Sequence, residues 1–130
     1  MRPRFIQAIL ALLTAIYLVI GVGFLVDLDG WAAAIEVAPT TGTARTDLRA
    51  TYGGFMLGIG VLFAGSLRAN PRGGLWLGAV TSLGLLGGRV LSLALGDRPG
   101  PLMYQFLAAE IALAVACLAL LREAPAPPQA

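Results

Sequence analysis

Two long stretches without any charged side chain most constrain what this chain can fold into. Residues 5–26 contain no charge, and residues 50–67 contain none either. An α-helix rises about 1.5 Å per residue and the hydrocarbon core of a bilayer is about 30 Å thick, so a membrane span needs about 20 apolar residues. Four stretches have that length and character, namely 5–26, 48–67, 73–95 and 101–121. Because none alternates with the period of two that a membrane strand requires, the sequence predicts an all-α integral membrane four-helix bundle.

The connections between these stretches predict an up-down, antiparallel order. Residues 68–72 and 96–100 are tight connections, so the helices on either side of each should be antiparallel neighbours. The connection 27–47 is long, and we expect residues 31–37 to form a short interfacial helix, the alternative being a solvated loop. Thr46 is a candidate cap for the following helix. The bundle is expected to cover residues 1–122, and the Pro- and Ala-rich residues 123–130 to form a disordered tail.

Composition excludes most enzyme chemistry. The chain has no His, no Lys and a single Cys, so it lacks the residues for a Ser-His-Asp triad, a Cys-His pair, a His-ligated metal or a lysine Schiff base. Nine Arg and seven acidic residues give a net charge of +2 without a concentrated basic face, which argues against nucleic-acid binding. We therefore expect a non-enzymatic protein with no catalytic residue, no metal and no cofactor.

The positions of the Arg residues predict the orientation of the bundle. With the amino terminus inside, five Arg lie at cytoplasmic ends (2, 4, 68, 72 and 122) and three lie outside (45, 49 and 98). Positive charge is enriched on the cytoplasmic side of membrane proteins, so both termini are expected in the cytoplasm. Residues 5–26 exceed the length of a signal-peptide apolar region and are expected to remain a membrane helix. Arg without Lys, with abundant Ala, Gly and Leu, indicates a bacterial inner-membrane protein.

Two charges of opposite sign remain inside the predicted spans, Arg89 in the third and Glu110 in the fourth. Each alone would cost about 2.5 to 3.5 kcal/mol at a helix centre. In an antiparallel hairpin that turns at residues 96–100, the two residues lie at the same depth. The sequence therefore predicts that they pair.

Further polar residues extend this pair into a candidate binding site. Tyr17 and Ser92 reach a similar depth, and Tyr52 and Arg49 lie nearer the surface. The pair could simply lock two helices together, or it could form an outward-facing polar pocket for a small anionic or lipid-like ligand or a partner protein. A proton-coupled transporter or exporter subunit that uses Glu110 is the alternative function. Against it, a carboxylate paired with Arg stays ionised, and no second acid is available as a relay.

Glycines at helical spacing predict close contacts between helices. Gly54 and Gly58 form a GxxxG step, and Gly84 and Gly88 form a second small-residue stripe with Ser92. Such stripes let helix backbones approach closely in lipid, either within one chain or in a homo-oligomer or a complex with another membrane protein.

The string DLRATYGG at residues 47–54, followed by Gly58, by Gly88-Arg89 with Ser92, and by Glu110 in the last span, resembles a known family. It is similar to the bacterial membrane family called domain of unknown function 4345, in which an acidic residue, Arg-Ala and Tyr-Gly-Gly open the second of four helices. The resemblance covers nearly the whole chain except the tail. It implies a four-helix membrane fold and suggests candidate site residues without naming a reaction. The similarity to DoxX-like four-helix membrane proteins is looser and only architectural.

Overall fold

The computed structural model describes residues 2–124, and every regular element in that range is helical. These elements are α1 (Arg2–Val26), α2 (Leu28–Ala34), α3 (Gly42–Leu48), a π-helical segment (Arg49–Phe55), α4 (Met56–Ala69), α5 (Pro71–Ala94) and α6 (Pro101–Glu123). Within the described range, four helices are long and apolar enough to cross a membrane: Arg4–Val26, Gly42–Ala69, Pro71–Ala94 and Pro101–Glu123. The chain is thus an all-α, multi-pass membrane protein. Helix α6 includes Glu123, the first residue of the predicted tail, whereas residues 125–130 lie outside the described residues.

Polar caps and prolines fix where the helices of the carboxyl-terminal hairpin begin and end. The Asn70 side chain accepts a hydrogen bond from the backbone N–H of Gly73, and Pro71 occupies the first turn of α5. After α5 the chain turns at Gly96, whose φ of +97° suits glycine because it has no Cβ. Pro101 then opens α6. The short turn makes α5 and α6 an antiparallel hairpin.

The long connection contains the predicted short helix, shifted three residues toward the amino terminus. Helix α2 begins at Leu28, three residues before the predicted start, because the Asp27 side chain caps it by accepting from the N–H of Gly30. The predicted cap at Thr46 is wrong. Thr41 caps α3 instead by accepting from the N–H of Ala44, so the helix starts earlier, and the Thr46 hydroxyl donates to the carbonyl of Gly42 inside it.

The chain divides into two compact units. Among the described residues, the hairpin unit combines 2–10 with 66–124, and the amino-terminal unit comprises 11–65. In the amino-terminal unit, Phe24, Leu28 and Ala32 form a buried cluster, and the ring of Tyr52 stacks on Phe24 with centroids 4.9 Å apart. Tyr52 lies in the π-helical segment, a rare form of helix that occurs often at functional sites.

Leucines of one helix pack onto glycines of the facing helix in the amino-terminal unit. Positions 18, 21 and 25 on α1 pair with positions 60, 57 and 53, which lie in α4 and the π-helical segment. Residue numbers rise along one helix as they fall along the other, as antiparallel packing requires. A Cβ added at Gly60 would lie 2.7 Å from Leu18, and one added at Gly53 would lie 2.7 Å from Leu25. A Cβ added at Gly21 would lie 2.6 Å from Leu57. The absence of a side chain at these glycines is what permits the close approach.

These are not the glycines that the sequence pattern indicated. A Cβ at Gly58, Gly84 or Gly88 would meet nothing within 4 Å, and one at Gly54 would meet only the Arg49 carbonyl at 3.9 Å. Within each unit, therefore, no neighbour comes close to these four positions, and their role in helix packing stays a prediction. One residue along a helix turns the side chain by about 100°, so a GxxxG spacing does not determine which of several glycine-bearing faces meets a neighbour.

Candidate functional site

The α5–α6 hairpin brings Arg89 and Glu110 together. The Arg89 Nε donates to both carboxylate oxygens of Glu110 at 2.9 Å, and Nη2 lies 2.8 Å from Oε1. The pairing predicted from their equal distance to the turn is confirmed. Both residues lie within helices long enough to span a membrane, so the pair is an intramembrane ion pair.

Burial is unequal between the two partners. The Glu110 side chain is 9% exposed, whereas Arg89 keeps 24% of its side-chain surface exposed. The ring centroid of Phe106 lies 5.3 Å from the guanidinium carbon, and Nη1 points at the thioether sulfur of Met103. Glu110 is thus enclosed and held by Arg89, whereas the Arg89 side chain remains partly exposed.

Arg89 lines a small pocket of about 250 Å³ within the hairpin. Its wall is mostly apolar, and it includes Gly88, Arg89, Ser92, Met103, Tyr104 and Leu107. The Ser92 hydroxyl donates to the carboxylate of Asp97 in the turn between the helices. A few polar groups in an apolar cavity are typical of small-molecule sites. We call this cavity the hairpin pocket.

The predicted binding residues divide between the two units. Arg89, Glu110 and Ser92 meet in the hairpin unit. Tyr17, Tyr52 and Arg49 belong to the amino-terminal unit, where the Tyr17 ring lies against Phe63 at 5.3 Å, Tyr52 stacks on Phe24, and Arg49 opens the π-helical segment. A role in ligand binding for any of the six stays a prediction.

Sequence reasoning missed two residues that surround the guanidinium, Phe106 and Met103. They precede Glu110 by four and seven residues, so helical periodicity puts all three on one face of α6. The signal was present, but the many apolar residues of a membrane span obscure such a face.

A second ion pair joins α2 to α3 in the amino-terminal unit. Arg45 contacts Asp29 through Nη1–Oδ1 at 2.5 Å and Nη2–Oδ2 at 2.9 Å. The hydrogen bonds from Arg45 lower the pKa of the Asp29 carboxyl, and the charges of Arg45 and Arg49 add to that effect. The exposed side-chain fractions are 36% for Arg45 and 70% for Asp29, so solvent screens this pair and its contribution to stability is small.

We expect the stabilising effect of this second pair to disappear in acid. A carboxyl whose pKa is lower in the folded state stabilises the fold above its unfolded pKa of about 3.9, and this effect is lost as the pH falls through the folded value. The unfolding temperature of the unmodified protein should therefore exceed that of Asp29→Asn near neutral pH, and the gap should close below about pH 4. With Arg45→Ala as background, Asn at position 29 should make a much smaller difference near neutral pH, because only the charge of Arg49 then acts on the Asp29 carboxyl. A gap of undiminished size in that background would show that Arg45 is not the main partner of Asp29.

The comparisons with known proteins identify the family. The family model described as Domain of unknown function (DUF4345) matches residues 5–121, and the chain therefore belongs to this family, as its motifs predicted. Comparison with curated proteins gave no match, and comparison with solved structures gave none. Among the residues that the structure describes, no group of three or more His, Cys, Asp or Glu side chains could hold a metal ion.

Proposed function

We propose that this member of the DUF4345 family is a non-enzymatic protein of the bacterial inner membrane that binds a small lipid-like molecule in the hairpin pocket. The observation that carries the proposal is the Arg89 side chain, which is paired at membrane depth and yet remains open to an apolar cavity. Ionisable residues inside membrane spans are expensive, and they commonly mark the path or the site of a ligand.

The geometry of Arg89 favours a binding role over a purely structural lock. If the pair served only to join α5 to α6, a partly exposed guanidinium would add nothing to that role. Here Nη1 faces Met103, whose thioether is a weak acceptor, and the pocket lies beside it. A polar group of a ligand would be a better partner for that N–H.

The Arg distribution favours an orientation in which the α5–α6 turn faces outward. Arg89 lies six residues before the end of the last turn at Leu95, which puts it about 9 Å below that turn. A molecule would then reach the hairpin pocket from the outer leaflet or the outer surface. Transport by proton exchange at Glu110 is less well supported, because that carboxylate is held by Arg89.

Two neighbouring glycines provide a test with a matched control. Gly88 lines the hairpin pocket and Gly87 does not, and a Cβ at either would meet nothing within 4 Å. Gly88→Phe should fill the pocket, whereas Gly87→Phe should leave it open, with similar unfolding temperatures for both variants. We would identify by mass spectrometry the small molecules that copurify with each detergent-solubilised protein. The unmodified protein and Gly87→Phe should retain a molecule that Gly88→Phe lacks.

The proposal is overturned if Gly88→Phe retains the same molecules as Gly87→Phe. It is also overturned if neither the unmodified protein nor Gly87→Phe carries a molecule that Gly88→Phe lacks.

A further inference from the structure

The positive charge in the hairpin pocket is already balanced. Glu110 accepts from Nε of Arg89 and pairs with Nη2, which occupies one full edge of the guanidinium. The two charges together are neutral. A second carboxylate, Asp97, lies at the turn and accepts from Ser92, which itself lines the pocket. The other charged residue of the turn, Arg98, is not part of the pocket wall.

Arg89 and Ser92 offer a ligand a donor and an acceptor respectively, and Tyr104 in the pocket wall adds a hydroxyl that can do either. The donor is Nη1 of Arg89, whose present partner is a thioether. The acceptor is the Ser92 oxygen, because its hydrogen is directed to Asp97. A polar head that both accepts and donates a hydrogen bond would use both groups.

We infer that the hairpin pocket selects an uncharged amphiphile, with a head such as a carboxamide or a hydroxyl, over an anion of the same shape. This inference rests on the proposed function and specifies its ligand class. An anion in the pocket would meet no net positive charge, because Glu110 already neutralises Arg89, and it would compete with this buried carboxylate for the guanidinium. A volume of about 250 Å³ is smaller than an ordinary small-molecule site, so the pocket holds the head and the first part of a chain whose remainder lies in lipid.

Dodecanamide and dodecanoate make the test direct, because they share a chain and a head shape and differ in charge. We would measure the dissociation constant of each for the unmodified protein in detergent by native mass spectrometry, at a pH where dodecanoate is ionised, with Gly88→Phe as the blank. Dodecanamide should bind at least about tenfold more tightly. Equal or tighter binding of dodecanoate overturns this inference and leaves the proposed function standing. Binding of neither probe above the Gly88→Phe level overturns both.

Two variants in the hairpin unit and one control variant test whether Glu110 and Asp97 set the selectivity. Glu110→Gln gives the pocket an uncompensated positive charge, so its preference should reverse toward dodecanoate. Asp29→Asn removes an acid from the other unit and should leave the preference unchanged. Asp97→Asn leaves the Arg89–Glu110 pair intact and should reduce the ratio by which dodecanamide binds more tightly than dodecanoate. This variant keeps the test valid even if Glu110→Gln does not fold. A preference for dodecanamide that is unchanged in both Glu110→Gln and Asp97→Asn contradicts the inference.

Discussion

Glu110→Gln should lower the free energy of unfolding by about 3–5 kcal/mol, the range measured when one partner of a buried ion pair is removed. The carboxamide keeps the shape of the side chain but leaves the Arg89 guanidinium without a counter-charge among apolar groups. Arg89→Leu should have a comparable effect, because it leaves Glu110, whose side chain is 9% exposed, as an uncompensated buried anion. Unfolding temperature and denaturant titration in detergent measure both effects.

The double variant Arg89→Leu with Glu110→Leu should recover much of this loss, since two apolar side chains carry no charge into the membrane. The four proteins form a double-mutant cycle whose interaction energy isolates the contact between the two residues. If the two single losses simply add in the double variant, the side chains do not interact and the salt bridge is not the source of the stability.

The second large effect is expected at Gly60. Its Cβ would lie 2.7 Å from the Leu18 side chain and 3.0 Å from the Leu18 backbone nitrogen, so Gly60→Leu must push α1 and α4 apart. Overpacking of this kind typically costs about 1–3 kcal/mol. Gly58→Leu is the matched control on the same helix, because nothing lies within 4 Å of a Cβ there. The unfolding temperature should fall for Gly60→Leu and hold or rise for Gly58→Leu; the reverse order would contradict the leucine–glycine packing.

Sequence reasoning was most successful where covalent geometry limits the alternatives. The spans follow from the thickness of a bilayer and the rise of a helix. The tight turn around Gly96 leaves two helices of similar length little choice but to run antiparallel, so the equal depth of Arg89 and Glu110 follows from their numbers alone. Their opposite charges then supply the reason to pair.

The rotation of each helix about its axis could not be predicted in the same way. Most residues of a span are apolar, so hydrophobic periodicity is weak and several glycine-bearing faces look equivalent. This is why the GxxxG spacing indicated Gly54 and Gly58 as contact positions, although Gly53 and Gly60 make the contacts with α1. The position of Met103 beside Arg89 could not be predicted for the same reason. Without the rotation of each helix, the depth of two residues does not establish that their side chains face each other.

The start of the long membrane helix was missed for a different reason. Thr41 and Thr46 are equally good capping residues, and local preference does not choose between them. Arg45, which pairs with Asp29, lies in the first turns of the helix that begins at Gly42. The choice between the two possible helix starts therefore involves a contact with a distant part of the chain, which local sequence preferences do not reveal.

The most direct test of the proposed binding role is the set of molecules that copurify with the Arg89→Leu, Glu110→Leu double variant. This protein should be close to the unmodified one in stability, so a loss of ligand cannot be attributed to unfolding. If the pair forms part of a binding site, mass spectrometry should find that the double variant lacks the lipid-like molecule carried by the unmodified protein. If the double variant is stable and still carries that molecule, the pair serves only to hold α5 against α6, and the hairpin pocket is not the binding site.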